Sequence, residues 1–113
     1  MAPSKFIGLL FQSRDAMHIA HLQTTSFAEH KALGAYYDNI LDLTDSFTEK
    51  LFGRSGRIEV VIPESKIQDA VSHMKTMQAT IEAERDNYAS DLQNIMDEML
   101  GLVNKTLYLL TLV

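Results

Sequence analysis

The sequence contains no cysteine, and only two prolines and five glycines among 113 residues. Without thiols there is no disulfide scaffold, thiolate zinc site, iron–sulfur cluster or cysteine nucleophile, so any metal must sit on imidazoles and carboxylates. The scarcity of turn formers argues against many-stranded β folds and against collagen-like or low-complexity chains. Basic residues are also few: ten Lys and Arg face fifteen Asp and Glu, for a formal charge of −5. They are scattered, with Arg54 and Arg57 the densest pair. Phosphate recognition needs clustered cations that release counterions, so DNA binding is disfavoured. Long apolar runs are missing as well. Phe6–Phe11 and Thr106–Val113 are far shorter than the ~20 residues of a membrane span, and Phe6–Phe11 is too short for a signal-peptide core. The expectation is a chain with neither a secretion signal nor a membrane anchor. No phosphate-binding glycine loop, nucleophile elbow or zinc-protease box occurs, which disfavours hydrolases and nucleotide enzymes.

What is present is enough apolar residue for one core: 46% hydrophobic against 22% charged. The length suits a single domain over 1–113. Apolar positions recur at helical spacing. A first helix is expected over about 4–24, with a stripe of Ile7, Leu10, Phe11, Arg14, His18, His21 and Leu22 that turns polar halfway. A second begins at the capping box Ser26–Glu29, runs through His30, Leu33, Tyr37, Leu41, Thr44 and Leu51, and stops at Gly53. A third starts near Ser65, at the box Ser65–Gln68, with Ile67, Val71, Met74, Gln78 and Ile81 on its stripe. The register then continues almost unbroken to Leu102. A compact chain would break it at Arg85-Asp86-Asn87 or at the box Ser90–Gln93, giving a fourth helix over about 90–111. Gly53–Pro63 is the one clear loop and carries a β-prone run, Ile58–Ile62. The expected fold is all-α, an antiparallel four-helix bundle with a longer loop of about ten residues between helices 2 and 3.

The polar pattern is concentrated in the first half. His18 and His21 are three apart and share a helix face, the spacing of a chelating pair. On the second helix His30 is followed by Asp38, Asp42, Asp45 and Glu49, an acidic stripe bordering a histidine-bearing face. Asp45 and Glu49 lie one turn apart, where two carboxylates can bridge or flank metal ions. His30 and Asp45 are fifteen residues apart, roughly 22 Å along a helix, so they cannot share an ion within one chain. Cooperation between them requires two second helices running antiparallel about a two-fold axis. The competing reading is a solvated acidic face beside hydrogen-bonded histidines. His73 is expected at the surface or its boundary.

The segment Ala16–Gly53 resembles the first two helices of Dps-type mini-ferritins. That family's pattern of a His, a second His twelve residues later, an Asp fifteen after that and a Glu four further on is matched by His18, His30, Asp45 and Glu49. The resemblance implies a ferritin-like bundle and an iron ferroxidase-type site shared between subunits, with manganese and zinc also suited to such ligands. The family's Asp four residues after the second His is Gly34 here, and the Trp after its first His is Ile19. His21 is an added candidate that would replace the missing carboxylate. The loop is too short for the family's extra helix, and no Lys-rich tail is seen. The whole span Phe6–Leu112 is also similar to a family of small tailed-phage proteins without assigned activity, through His18–Thr24, Ala28–Leu33 and Thr106–Leu110. That likeness implies a phage origin and a place in the host cytoplasm or the virion.

Two functions follow. One is a metal-binding homodimer or larger homo-oligomer with His18, His21, His30, Asp45 and Glu49 as ligands and Tyr36 and Tyr37 nearby. The other is a non-catalytic structural or interaction protein, a virion component or a bundle that binds a host protein, in which Arg14 would pair with Asp45 or Glu49.

Overall fold

The structure is a computed structural model that describes residues 1–64 and 68–113. Four α-helices account for most of it, and the described residues contain no strand. They are α1 (Pro3–Gln23), α2 (Phe27–Ser55), α3 (Ala70–Glu84) and α4 (Ser90–Leu109). A single 3-10 turn at Arg85–Asn87 separates α3 from α4. The long apolar register therefore breaks at Arg85-Asp86-Asn87, as its compactness argument requires.

The helix boundaries follow from local chemistry. Pro3 opens α1, where its missing N–H costs nothing. Ser26 caps α2 by accepting from the Glu29 amide at 3.2 Å. The return bond of the expected box runs through a third residue: the Ser26 amide donates to Thr24 Oγ1, and the Thr24 hydroxyl donates to Glu29 Oε2. Gly53 does not end α2. The helix continues to Ser55 and stops at Gly56, whose φ of 88° is the left-handed conformation that favours glycine. Asp69 caps α3 by accepting from the Ser72 amide. The box expected at Ser65–Gln68 lies partly outside the described residues. The Ser90–Gln93 box does not form: Ala89 is the N-cap of α4, and the Gln93 side chain donates to the Arg85 carbonyl instead.

Each helix packs against two others. α1 touches α2 and α3, and α4 touches α2 and α3. Among the described residues no Cα of α1 comes within 8 Å of one in α4, nor one of α2 within 8 Å of one in α3, so these pairs lie across the diagonals. Contacts pair ascending residues of α1 with descending ones of α2: Phe6 with Phe47, Ser13 with Tyr36 and His21 with His30. Gln78–Asn104 and Arg85–Asp97 do the same for the segment leading into α4. The core is Phe6, Ile7, Leu10 and Met17 of α1, Leu33, Tyr36, Ile40 and Phe47 of α2, Met74 and Ile81 of α3, and Leu92, Met96, Met99 and Val103 of α4. Phe6, Phe47 and Tyr88 meet as an aromatic trio with centroids 5.2–5.8 Å apart, which locks the turn before α4 onto the α1–α2 pair.

This ring of neighbours sets a length problem. The first residues of α2 and α3, Ser26, Glu29, Asp69 and Ala70, line one cavity with Leu110 and Leu112 of the α4 end. Arg54, near the end of α2, lies beside Asp91 at the start of α4. The connection from Gly56 to Asp69 must therefore return along the length of α2, whose 29 residues span about 43 Å. A helix of the connection's length would cover only about 21 Å, whereas extended chain covers about 46 Å. The connection runs against α1 so closely that a Cβ on Gly8 would lie 2.0 Å from the Val61 carbonyl oxygen. Gln12 holds it further along by donating to the Pro63 and Glu64 carbonyls.

Gly8 and Gly101 predict opposite outcomes for one substitution. Gly8→Ala collides with backbone and should destabilise by about 1–3 kcal/mol or more. Gly101→Ala, exposed in α4 with nothing within 4 Å, should stabilise by about 0.5–1 kcal/mol. Urea unfolding midpoints of the two variants check the signs.

Candidate functional site at the α1–α2 seam

Two polar clusters lie on the seam, one half-exposed and one buried. The half-exposed cluster contains three of the sequence-predicted ligands. The rings of His21 and His30 stack at 3.8 Å and 14°. His30 Nδ1 bonds the His21 carbonyl at 2.7 Å, and His21 Nδ1 bonds the His30 carbonyl in return. A carbonyl only accepts, so both Nδ1 atoms carry hydrogen, and the lone pair available to a ligand is the one on Nε2. The His21 carbonyl lies in the last turn of α1, where it has no intrahelical donor, so His30 satisfies a helix-end orphan. His18 stacks on Tyr37 at 4.0 Å and lies 6.2 Å from His21. Tyr37 also meets the His21 ring edge-on and has the Arg14 guanidinium 5.5 Å from its centroid.

Gly34 is what allows this packing. A Cβ there would lie 2.9 Å from His21 Cε1 and 3.1 Å from Nδ1. The His21 ring thus occupies the space that a side chain at position 34 would need.

Asp45 and Glu49 are not part of the cluster. Both are exposed, as are Asp38 and Asp42, and none of the four enters an ion pair among the described residues. Arg14 pairs with Asp15 at 3.0 Å and not with Asp45 or Glu49 of its own chain. No group of three or more His, Asp or Glu among the described residues is arranged to hold a metal ion.

The second cluster is buried. Ser13 Oγ lies 2.6 Å from the Tyr36 hydroxyl and 2.7 Å from His73 Nε2, joining α1, α2 and α3 through one chain of hydrogen bonds. His73 is 8% exposed and buried, which corrects the expectation of a surface or boundary residue. α3 turns Ala70, His73, Met74 and Met77 inward, and Ser13 satisfies the imidazole that this buries. On α1 the inward face is likewise Ile7, Leu10, Ser13 and Met17, one position behind the expected Arg14 and His18. On α2 it is Tyr36 and Ile40 that turn inward, with Tyr37 only half-buried. Burial pushes the Tyr36 hydroxyl up to about 12, against a smaller opposing effect of the Ser13 bond. Burial also holds His73 below its ordinary value. Tyr88, whose hydroxyl has no partner among the described residues, is raised to about 12 by burial. The only sequence signal for the buried trio was helical spacing, Ser13 falling three after Leu10 and His73 four before Met77.

The described residues thus form a small all-helical bundle, with no helix long and apolar enough to cross a membrane. Residues 21–110 match a family of unknown function, DUF5856, and the chain belongs to that family. The matched region holds His21 and His30 and leaves His18 outside. The uncharacterized 14.6 kDa protein of the mobD-ri intergenic region of Enterobacteria phage T4 is 31% identical over 118 residues, spanning 97% of this chain and 91% of that protein. No solved structure matches.

Two outcomes follow. Gly34→Ala should disturb the His21 ring and destabilise by about 1–3 kcal/mol. Combining it with His21→Ala should cost clearly less than the sum of the two single changes, as a double-mutant cycle in urea reads directly. His73 gives a pH dependence. Unfolded, it takes a proton near 6.5, whereas the folded state resists until lower pH. The unfolded state binds more protons in that window, so stability falls as pH drops below about 6.5. Urea midpoints between pH 7 and 5 should fall less steeply for His73→Gln than for the unaltered chain.

Proposed function

We propose that this chain is the subunit of a ferritin-like homo-oligomer that holds metal between chains, using His18, His21 and His30 of one chain and Asp45 and Glu49 of another. The observation that carries the reading is the histidine cluster. The Nδ1 hydrogens of His21 and His30 are committed to backbone carbonyls, which leaves Nε2 as the free donor atom. That is the outer-sphere pattern typical of metal-binding imidazoles. Lone pairs lie in the ring plane, so two parallel rings 3.8 Å apart serve separate ions of a pair better than one shared ion. Among the described residues the three histidines do not converge on one metal position, while Asp45 and Glu49 stand exposed and outside any ion pair, about 22 and 28 Å along α2 from His30. A complete site on these residues thus needs at least a dimer. The ring of neighbours, in which adjacent helices run antiparallel and one long connection returns between α2 and α3, supports the ferritin-like bundle. Iron is the metal that the mini-ferritin resemblance implies, and it would supply ferroxidase-type redox chemistry. Manganese and zinc suit the same donors. The phage relative supports a location in the host cytoplasm.

A second reading is a non-catalytic bundle that serves in the virion or binds a host protein. It is favoured by the reciprocal His21–His30 bonds, which are sufficient as a structural clamp, and by Leu22 and Phe27. These flank the α1–α2 turn at 67% and 76% exposure.

Metal content and mass by light scattering separate the two. Protein purified with Fe(II) should retain metal and lose it in Glu49→Ala, an exposed change that spares the core. EDTA should lower the mass of the assembly. Metal content near zero with a mass indifferent to EDTA overturns the metal reading in favour of the second.

A further inference from the structure

We infer that Ile58–Ile62 pairs with the same segment of a second copy of this chain, as an antiparallel two-stranded ribbon about a two-fold axis. The inference rests on the oligomer reading above but not on its metal. Ile58-Glu59-Val60-Val61-Ile62 has four β-branched residues of five, yet forms neither helix nor strand within the chain. Among the described residues, no backbone N–H or C=O from Arg57 to Ile62 bonds another backbone group. Ile58, Val61 and Ile62 are 39%, 63% and 52% exposed. An exposed row of unpaired backbone groups bearing β-branched side chains is an open edge, which folded proteins cover or pair.

The contacts with α1 show which way that edge faces. The Val61 carbonyl presses against Gly8, and the Pro63 carbonyl accepts from Gln12 Nε2 at 3.3 Å. In extended chain the backbone groups of alternate residues point to opposite sides. The Pro63 and Glu64 carbonyls both accept from Gln12, so the alternation is taken only up to Ile62. With the Val61 carbonyl against Gly8, the groups of Ile58, Val60 and Ile62 in an extended run face away from α1 and are free to pair. A two-fold axis can then pass through one of these, at a hydrogen-bonded pair, or through Glu59 or Val61, at a non-hydrogen-bonded pair. Charge selects Ile58. With Ile58 on the axis, Arg57 of each copy stands opposite Glu59 of the other, at the closely spaced non-hydrogen-bonded positions. Neither residue enters an ion pair among the described residues. An axis at Glu59 would set the two Glu59 carboxylates face to face, one at Val60 would set them on a diagonal, and one at Val61 or Ile62 pairs no charges.

The absence of cysteine makes the test direct. Facing Cα atoms of a hydrogen-bonded antiparallel pair are about 5.5 Å apart, within disulfide range. Ile58→Cys should therefore oxidise to a covalent dimer in high yield, while the reduced protein is a dimer or larger by light scattering. Val61→Cys is more exposed, but its two copies would lie about six residues apart along the ribbon, roughly 20 Å, and should stay unlinked. An oligomer in which Ile58→Cys fails to link, or links no better than Val61→Cys, overturns the ribbon and leaves the oligomer reading intact. A monomer at every concentration overturns both.

Discussion

Two histidines close the α1–α2 turn by donating to each other's backbone carbonyls across stacked rings. The exchange relieves the unsatisfied end of α1 and fixes the tautomer of both rings. It also sets the separation of the two helices, close enough that position 34 has no room for a Cβ. From that end the seam continues inward through Tyr37 against His18, then Tyr36 against Ser13, and ends at Phe6 against Phe47. A side chain at position 34 would compete with this clamp for the space of the His21 ring.

The rest of the bundle is assembled on the seam. Ser13 reaches from it to His73 and brings α3 to α1, while the aromatic trio brings the start of α4 to the opposite end. Because α3 begins where α2 began, the connection has to run back along the helices. Its close passage over Gly8 and its anchor on Gln12 are local answers to that long-range constraint. The same passage leaves Ile58, Val61 and Ile62 exposed, so the topology links an internal packing requirement to the surface proposed to pair with a second copy.

Much of the fold was legible in the sequence, for identifiable reasons. Ser26 and Glu29 marked the start of α2, and the polar triplet Arg85-Asp86-Asn87 marked the break that the apolar register concealed. Gly53 misled because glycine is tolerated on an exposed helix surface, and it was Gly56 that adopted the left-handed conformation. Ile7 and Leu10 on α1 and Leu33, Thr44 and Leu51 on α2 are buried as their spacing predicts, but in the middle of each face the buried residues are Ser13, Met17, Tyr36 and Ile40, one position before Arg14, His18, Tyr37 and Leu41. Ser13 and Tyr36 look polar alone and become core only when each satisfies the other, and His73 was missed for the same reason. Pairwise satisfaction across helices leaves no mark in the spacing of one helix. His18, His21 and His30 meet at the α1–α2 turn because they flank it in sequence, whereas Asp45 and Glu49 stand apart on the exposed surface of α2, as their distance along the helix requires.

The claim that ties these observations together is that the histidine cluster is half of a site completed by another chain. Anomalous diffraction at the iron edge, from crystals of the assembled protein grown with Fe(II), tests it most directly. The account predicts a peak between His30 of one chain and Asp45 and Glu49 of its neighbour, at coordination distances near 2 Å. An ordered assembly in which no two chains bring these residues together, with no anomalous peak at the histidines, would contradict it.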